Sequence, residues 1–237
     1  MTPLKPPMLV DAFRLSSGDF HQTVDNIVAH YSMRPGGWNH QRCLRPIMHG
    51  YNGATDIAAL IAGCRGTGKD SQIDNAKIVE AVLPNVVGRS TQCFPYKRKH
   101  YALTPKILCP LGPSFFIVEG GVIKLVYVHA RNEKRASLAN LAGLASILKS
   151  DILDQDFYGQ ATDVEIHYVD KKGSARTNSV YDLRRLERHL TEDPSATLAR
   201  FASALIDVME NDRVTPPVRK TRDVPREADD AQGSLTL

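Results

Sequence analysis

The chain has 237 residues, 42% of them hydrophobic and 24% charged, with a net charge of +4. That suits one packed domain of generous size, or a core with a helical annex, and no apolar run approaches a membrane span. The four cysteines, Cys43, Cys64, Cys93 and Cys109, stand without a C-x-x-C pair and without an apolar leader, which points to a reducing, cytoplasmic setting.

Residues 1–70 read as a helical and irregular region, beginning with an extended lead-in over residues 1–17. The first helix starts near Asp19, with Phe20, Val24, Ile27, Val28 and Tyr31 at helical spacing, and it must stop before Pro35. Residues 38–53 read as irregular. A short helix follows, with Thr55 as cap, Ile57 to Ala62 as body and Gly63 as stop.

The α/β core, with the helices that close it, spans residues 71–210. Asp70 or Ser71 caps its first helix, which Pro84 ends. Thr91 to Tyr96 and Tyr101 to Leu108 read as peripheral strands, because Pro105, Pro110 and Pro113 remove ladder donors. Residues 114–129 are the clearest element: two β-branched and aromatic runs meeting at Gly120-Gly121, a hairpin signal. Residues 137–149 then form a helix apolar nearly all round, capped by Ser137 and expected to be deeply buried.

Residues 163–169 alternate as a half-buried strand does, so Asp163 and Glu165 are expected on a solvated face. A turn at Lys171-Lys172-Gly173 leads to a last strand over 174–180 and a helix over 181–190. Asp193-Pro194 opens the final helix, with Leu198, Phe201, Leu205 and Val208 inward. From Asn211 the hydrophobic period is lost, and residues 211–237 read as a disordered tail. The fold class is therefore α/β or α+β: a mixed sheet of the 114–129 hairpin and strand 163–169, the buried 137–149 helix, and helical segments at both ends.

Three patterns carry possible chemistry. Gly63-Cys-Arg-Gly-Thr-Gly68-Lys69-Asp70 approaches the phosphate-binding loop G-x-x-x-x-G-K-[ST], but a helix precedes it and Asp70 replaces the magnesium-binding hydroxyl. It reads as a connection. His40, Cys43 and His49, with His30, are the densest set of metal-ligand types, yet their spacing matches no common zinc site. Packing of the loop around Trp38 explains them as well, and the sequence leaves metal binding there open.

Basic residues cluster at Lys97-Arg98-Lys99-His100, at Arg131 with Lys134 and Arg135, and at Arg184, Arg185 and Arg188. Tyr96 and Tyr101 flank the first cluster and could stack on bases, while the cations contact phosphates. Tyr96, Lys97, Arg98, Lys99, Tyr101, Arg131 and Arg135 are therefore the candidate nucleic-acid-binding residues.

The order helix 71–83, strands, helix 137–149, strand 163–169 resembles the α-β-β-β-α-β core of PD-(D/E)xK nucleases. The resemblance implies magnesium held by an Asp and a (D/E)-x-K on neighbouring strands. In this chain the second hairpin strand offers Lys124, Tyr127 and His129 without that acid; Glu119 sits at the hairpin turn and Glu80 on the first helix. The reading that follows is a non-enzymatic cytoplasmic accessory protein contacting nucleic acid or a nucleoprotein assembly, with no cofactor and no membrane partner. A metal-dependent nuclease with an atypical site, or a protein–protein adaptor, are the alternatives.

Overall fold

The computed structural model describes residues 4–33, 41–66, 69–97, 100–113, 115–131 and 135–214. It is a mixed α/β structure whose five-stranded sheet has the order β1-β4-β5-β6-β7: Thr91–Pro95, Phe115–Glu119, Val122–His129, Thr162–Lys172 and Ala175–Asp182. All neighbours are antiparallel except β5 and β6, which run parallel. Helix α6 (Leu138–Ile147) makes the crossover that a parallel pair requires. A separate two-stranded ribbon, β2 (His100–Thr104) with β3 (Ile107–Pro110), lies between β1 and β4 in the chain.

Each face of the sheet carries its own apolar cluster. On one face, Leu125, Tyr127, Val164 and Ile166 pack with α6, with α1 (Leu9–Leu15), α2 (Phe20–Ser32) and α9 (Pro194–Glu210). The opposite face buries Phe115, Ile117, Val126 and Val169 beneath α3 (Gln41–Tyr51), α4 (Ile57–Arg65) and α5 (Asp70–Val82). Alternate residues of β4, β5 and β6 therefore face different layers, as the period of two demands.

The expected central helix is present. Ser137 Oγ accepts the Asn140 N–H at 3.2 Å, and Leu141, Leu144 and Leu148 are fully buried. After Ile147 the backbone widens into a π turn, Leu148–Leu153, and ends in α7 (Asp154–Asp156). The capping of α2 by Asp19 and of α9 by Asp193, with Pro194 at the first helical position, also follows the sequence signals.

Several expectations are corrected. Residues 1–17 are not merely extended: α1 buries Leu9, Val10, Ala12, Phe13 and Leu15. Residues 41–51 of the supposedly irregular segment form α3, because Cys43, Ile47 and Tyr51 recur every fourth residue on a buried face. Pro46 lies inside that helix. Helix α4 runs through Gly63 and stops at Gly66, whose φ of +51° suits glycine.

The strand expected over residues 101–108 is instead a hairpin turning between Thr104 and Ile107. The helix expected from Tyr181 is shortened, since β7 continues to Asp182 and leaves only α8, Leu183–Glu187. The proposed tail lies outside the described residues from position 215 onward.

Candidate functional site: a charged cluster and the groove beside it

Strand register builds the site. Pairing of Ile117 with Lys124 and Lys124 with Asp163 makes one row of side chains on the α3–α5 face, and pairing of Phe115 with Val126, Val126 with Glu165 and Glu165 with Asp182 makes the next. Toward the start of β5 this face becomes polar: Glu119, Lys124, Asp163, Glu165 and Asp182. Arg89 reaches it from the segment between α5 and β1, and Tyr51 from the last residue of α3.

Arg89 bridges two carboxylates. Its Nε and Nη2 donate to Glu119 at 2.8 and 2.6 Å, and its Nη1 and Nη2 donate to Glu165 at 2.7 and 2.8 Å. The guanidinium also lies 5.3 Å from the centre of the Tyr51 ring. Lys124 Nζ donates to Glu119 at 2.7 Å. Two cations thus meet two anions in a closed network, the arrangement a partly buried set of charges needs.

Behind it, the Tyr51 hydroxyl donates to Glu165 and lies 2.7 Å from His167 Nε2. Asn178 Nδ2 lies 2.9 Å from His167 Nδ1, so the ring's other nitrogen, Nε2, faces Tyr51 and Glu165. His167 is fully buried and Glu165 nearly so.

Acidities follow from these contacts. Hydrogen bonds from Arg89, and then from Lys124, outweigh partial burial and lower the Glu119 carboxyl to about 2. Burial raises Glu165, but the hydrogen bonds from His167, Arg89 and Tyr51 win and hold it well below the ordinary carboxylate range. Burial, and then the Glu165 charge, push the Tyr51 phenol far up, while Glu165 and Glu119 raise Arg89. At neutral pH the carboxylates and the guanidinium are charged and the phenol keeps its proton.

A groove of about 350 Å³ opens beside the cluster, with Arg89, Lys124, Asp163, Glu165, Asp182 and Arg185 in its lining. Asp163 Oδ1 accepts the Val164 and Leu183 N–H groups, and Asp182 Oδ1 accepts that of Arg185. Arg185 lines this groove, and Arg184, Arg185 and Arg188, in α8 and just after it, are exposed. Arg184 and Arg188 make no ion pair with a carboxylate among the described residues.

The residues singled out from sequence have varied surroundings. Tyr96 is 9% exposed and its hydroxyl donates to Asp156 at 2.9 Å, so its ring is not open for stacking. Tyr101 donates to Asp151 at 3.0 Å. Arg131 pairs with Asp11, and Arg135 pairs with Asp170 and lies over the Tyr168 ring. Lys97 is exposed. Arg98 and Lys99 lie outside the described residues. Lys97 and Arg131 both follow strands that end at the same end of the sheet, since β1 and β5 run in the same direction.

Among the potential ligands, Cys43 is buried, with its backbone N–H donating to Asn75 Oδ1 at 3.2 Å, and His49 is exposed. His40 and Trp38 lie outside the described residues, as do Thr67 and Gly68 of the glycine-rich connection. No group of three or more His, Cys, Asp or Glu side chains is gathered for a metal among the described residues.

The expectation of solvated acids on strand 163–169 is corrected for Glu165. Helix α3 and Arg89 cover that face, and a carboxylate so covered must find partners. The signal available in the sequence was Asp163, Glu165 and His167 recurring at every second position of an otherwise apolar strand. Nothing local marks Arg89, Tyr51 or Asn178 as their partners. No model of a known protein family matches this chain, and no curated protein matches it.

Proposed function

We propose that this is a non-enzymatic cytoplasmic accessory protein that contacts nucleic acid or a nucleoprotein assembly, with α8 as a phosphate-contacting surface. One observation carries the reading: Arg184 and Arg188 are exposed and have no described acidic partner, whereas Arg131 and Arg135 are each held by an aspartate. Uncommitted, solvent-facing guanidinium groups are what a polyanion can recruit. Arg185 adds a third exposed cation and joins this surface to the groove.

The charged cluster is read as a structural tie. Its cations are already neutralised by Glu119 and Glu165, and it links α3, the segment before β1, and strands β4 to β7. A cytoplasmic setting is supported by four cysteines that form no disulfide. No helix among the described residues is long and apolar enough to cross a membrane.

The test is binding of the full chain to labelled DNA and RNA, single-stranded and duplex, across a salt series. Each phosphate contact contributes about −0.9 to the slope of log affinity against log salt on duplex DNA. Replacing Arg184 and Arg188 together by alanine should weaken duplex binding and make the slope shallower by about 2. Absence of any binding near physiological salt would remove the reading and favour a protein adaptor. Magnesium-dependent cleavage would favour the nuclease alternative.

A further inference from the structure

The two edges of the five-stranded sheet are finished differently. On β1 the Cys93 N–H donates to Asn52 Oδ1 at 2.8 Å, and Pro95 has no N–H to offer. Edges blocked in this way resist further pairing. At the other edge β7 runs eight residues against β6 without a register shift, and it contains no proline, glycine or lysine. The two-residue turn Gly173-Ser174 makes Lys172 and Ala175 the closing hydrogen-bonded pair of this hairpin. Odd-numbered residues of β7 therefore bond to β6, and Arg176, Asn178 and Val180 turn their backbone N–H and C=O groups outward. The bond from the Ile123 N–H to Ala161 O gives the same alternation, because it aims the odd residues of β6 at β5 and the even ones at β7.

Among the described residues, one of these outward groups has a partner: the Val180 carbonyl, which accepts from Arg185 Nη1 at 3.1 Å. The edge is also open to water. Arg176 as a whole is 9% exposed while its side chain is 1% exposed, so solvent reaches its backbone. Its neighbours Thr177 and Ser179 are small and exposed.

We infer that β7 is the docking edge for an extended acidic peptide of a partner protein, which adds to the sheet as a further strand. This goes beyond the nucleic-acid reading and does not depend on it. An occupant of the edge must offer donors and acceptors in alternation, which a peptide backbone does and a phosphodiester, having no donor, does not. Cations stand at both ends. Lys171 and Lys172 are exposed register partners of Arg176 and Ala175, Lys77 Nζ donates to Ser174 O at 3.0 Å, and Arg185 lies at the Val180 carbonyl. The acids beside the edge are fewer: Asp170 is paired with Arg135, Asp74 with Arg176, and Asp182 stays an anion next to Arg185. Residues 170–188 hold six basic and three acidic side chains, a positive surplus that an acidic peptide neutralises. A second copy is a poorer occupant, because antiparallel pairing of two β7 edges sets the Lys171-Lys172 end of one beside the Arg185 end of the other.

The experiment uses the full chain and three fluorescein-labelled peptides at low salt: EDEVTVTVED, its cationic counterpart KKKVTVTVKK, and the acidic peptide N-methylated at its central valines and threonines. The acidic peptide should bind saturably, and roughly tenfold or more tightly than the cationic one. The methylated peptide keeps the charge but has lost the donors, and it should not bind. Lys171→Glu with Lys172→Glu should weaken the acidic peptide roughly tenfold. Val180→Pro removes one outward N–H without touching the β6 ladder, a change that edge strands tolerate, and should weaken it similarly. Melting curves check folding; should the proline variant not fold, the methylated peptide and the lysine variant decide.

Absence of saturable binding by the acidic peptide would overturn the docking edge. Equal binding of the methylated peptide would do so too, since the attraction would then need no added strand. If light scattering shows a dimer that Val180→Pro dissociates, a second copy occupies the edge and the inference fails. It fails equally if duplex DNA, and not the peptide, responds to the lysine and proline variants.

Discussion

The two faces of the sheet solve the burial problem differently. The side under α6 is closed mainly by apolar contacts, with Leu125, Val164, Ile166, Leu141 and Leu144 at or near zero exposure, and the buried charge it holds, Asp11 of α1, is paired with Arg14 and Arg131. The face under α3 and α5 is apolar through Phe115, Ile117 and Val126, then turns ionic at Arg89, Glu119 and Glu165. Apolar packing tolerates exchange of similar residues, whereas a partly buried ionic set depends on every member being present. The first face should therefore respond to lost volume, and the second to lost charge and to pH.

The largest effect is expected at Arg89. Replacement by methionine keeps much of the stem but leaves Glu119 and Glu165 facing each other without their shared cation. Removing one partner of a buried pair typically costs roughly 3–5 kcal/mol. Urea denaturation should report a loss in that range, and restoration by a further Glu165→Gln change would show that the uncompensated carboxylate is the cause. A loss under about 1 kcal/mol would place the cluster in effectively open solvent, where ion pairs contribute little.

On the other face, Leu144→Ala removes a fully buried side chain from a helix covered by α1, α8 and α9. Lost burial and the cavity together should cost roughly 2–5 kcal/mol in the same measurement. Its neighbour Gly143 gives a sharper test of packing. A Cβ there would lie 2.6 Å from Cε1 of Phe13, itself nearly buried. Gly143→Ala should lower the melting temperature, because overpacking costs roughly 1–3 kcal/mol against about 1 kcal/mol gained in helix propensity. A more stable alanine variant would mean that Phe13 moves aside freely.

The smallest effect is the pH response of the ionic face. Glu119 has its carboxyl lowered from 4.5 to about 2, and Glu165 is lowered as well. A depressed acidity means the unfolded chain binds more protons in this window, so stability rises with pH there. The contribution is complete above about 4.5 and is lost as pH falls toward about 2. Glu119→Gln should flatten the stability profile between those limits; an unchanged profile would contradict the assigned charge state.

The α6 face was legible because its signals are local. Ser137 caps, the following residues are apolar on all sides, and Gly120-Gly121 fixes the hairpin that places β5 beside the crossover. Helix α3 was missed because histidine, arginine, cysteine and proline obscure a Cys43–Ile47–Tyr51 stripe, and α1 because paired prolines precede a short apolar run. The ionic cluster joins residues from position 51 to position 165, so no window of sequence contains it. Charge runs were visible, but availability was not: Asp11 and Asp170 occupy Arg131 and Arg135 from 120 and 35 positions away.

That difference in availability is the centre of the functional account, and one paired measurement tests it. Salt dependence of duplex-DNA binding should be compared between Arg184→Ala/Arg188→Ala and Arg131→Ala/Arg135→Ala. The account predicts that the α8 pair lowers the slope by about 2 with little change in stability. The second pair should leave the slope nearly unchanged while lowering the melting temperature, since it strips Asp11 and Asp170 of their partners. The reverse pattern, a shallower slope only when Arg131 and Arg135 are removed, would contradict it.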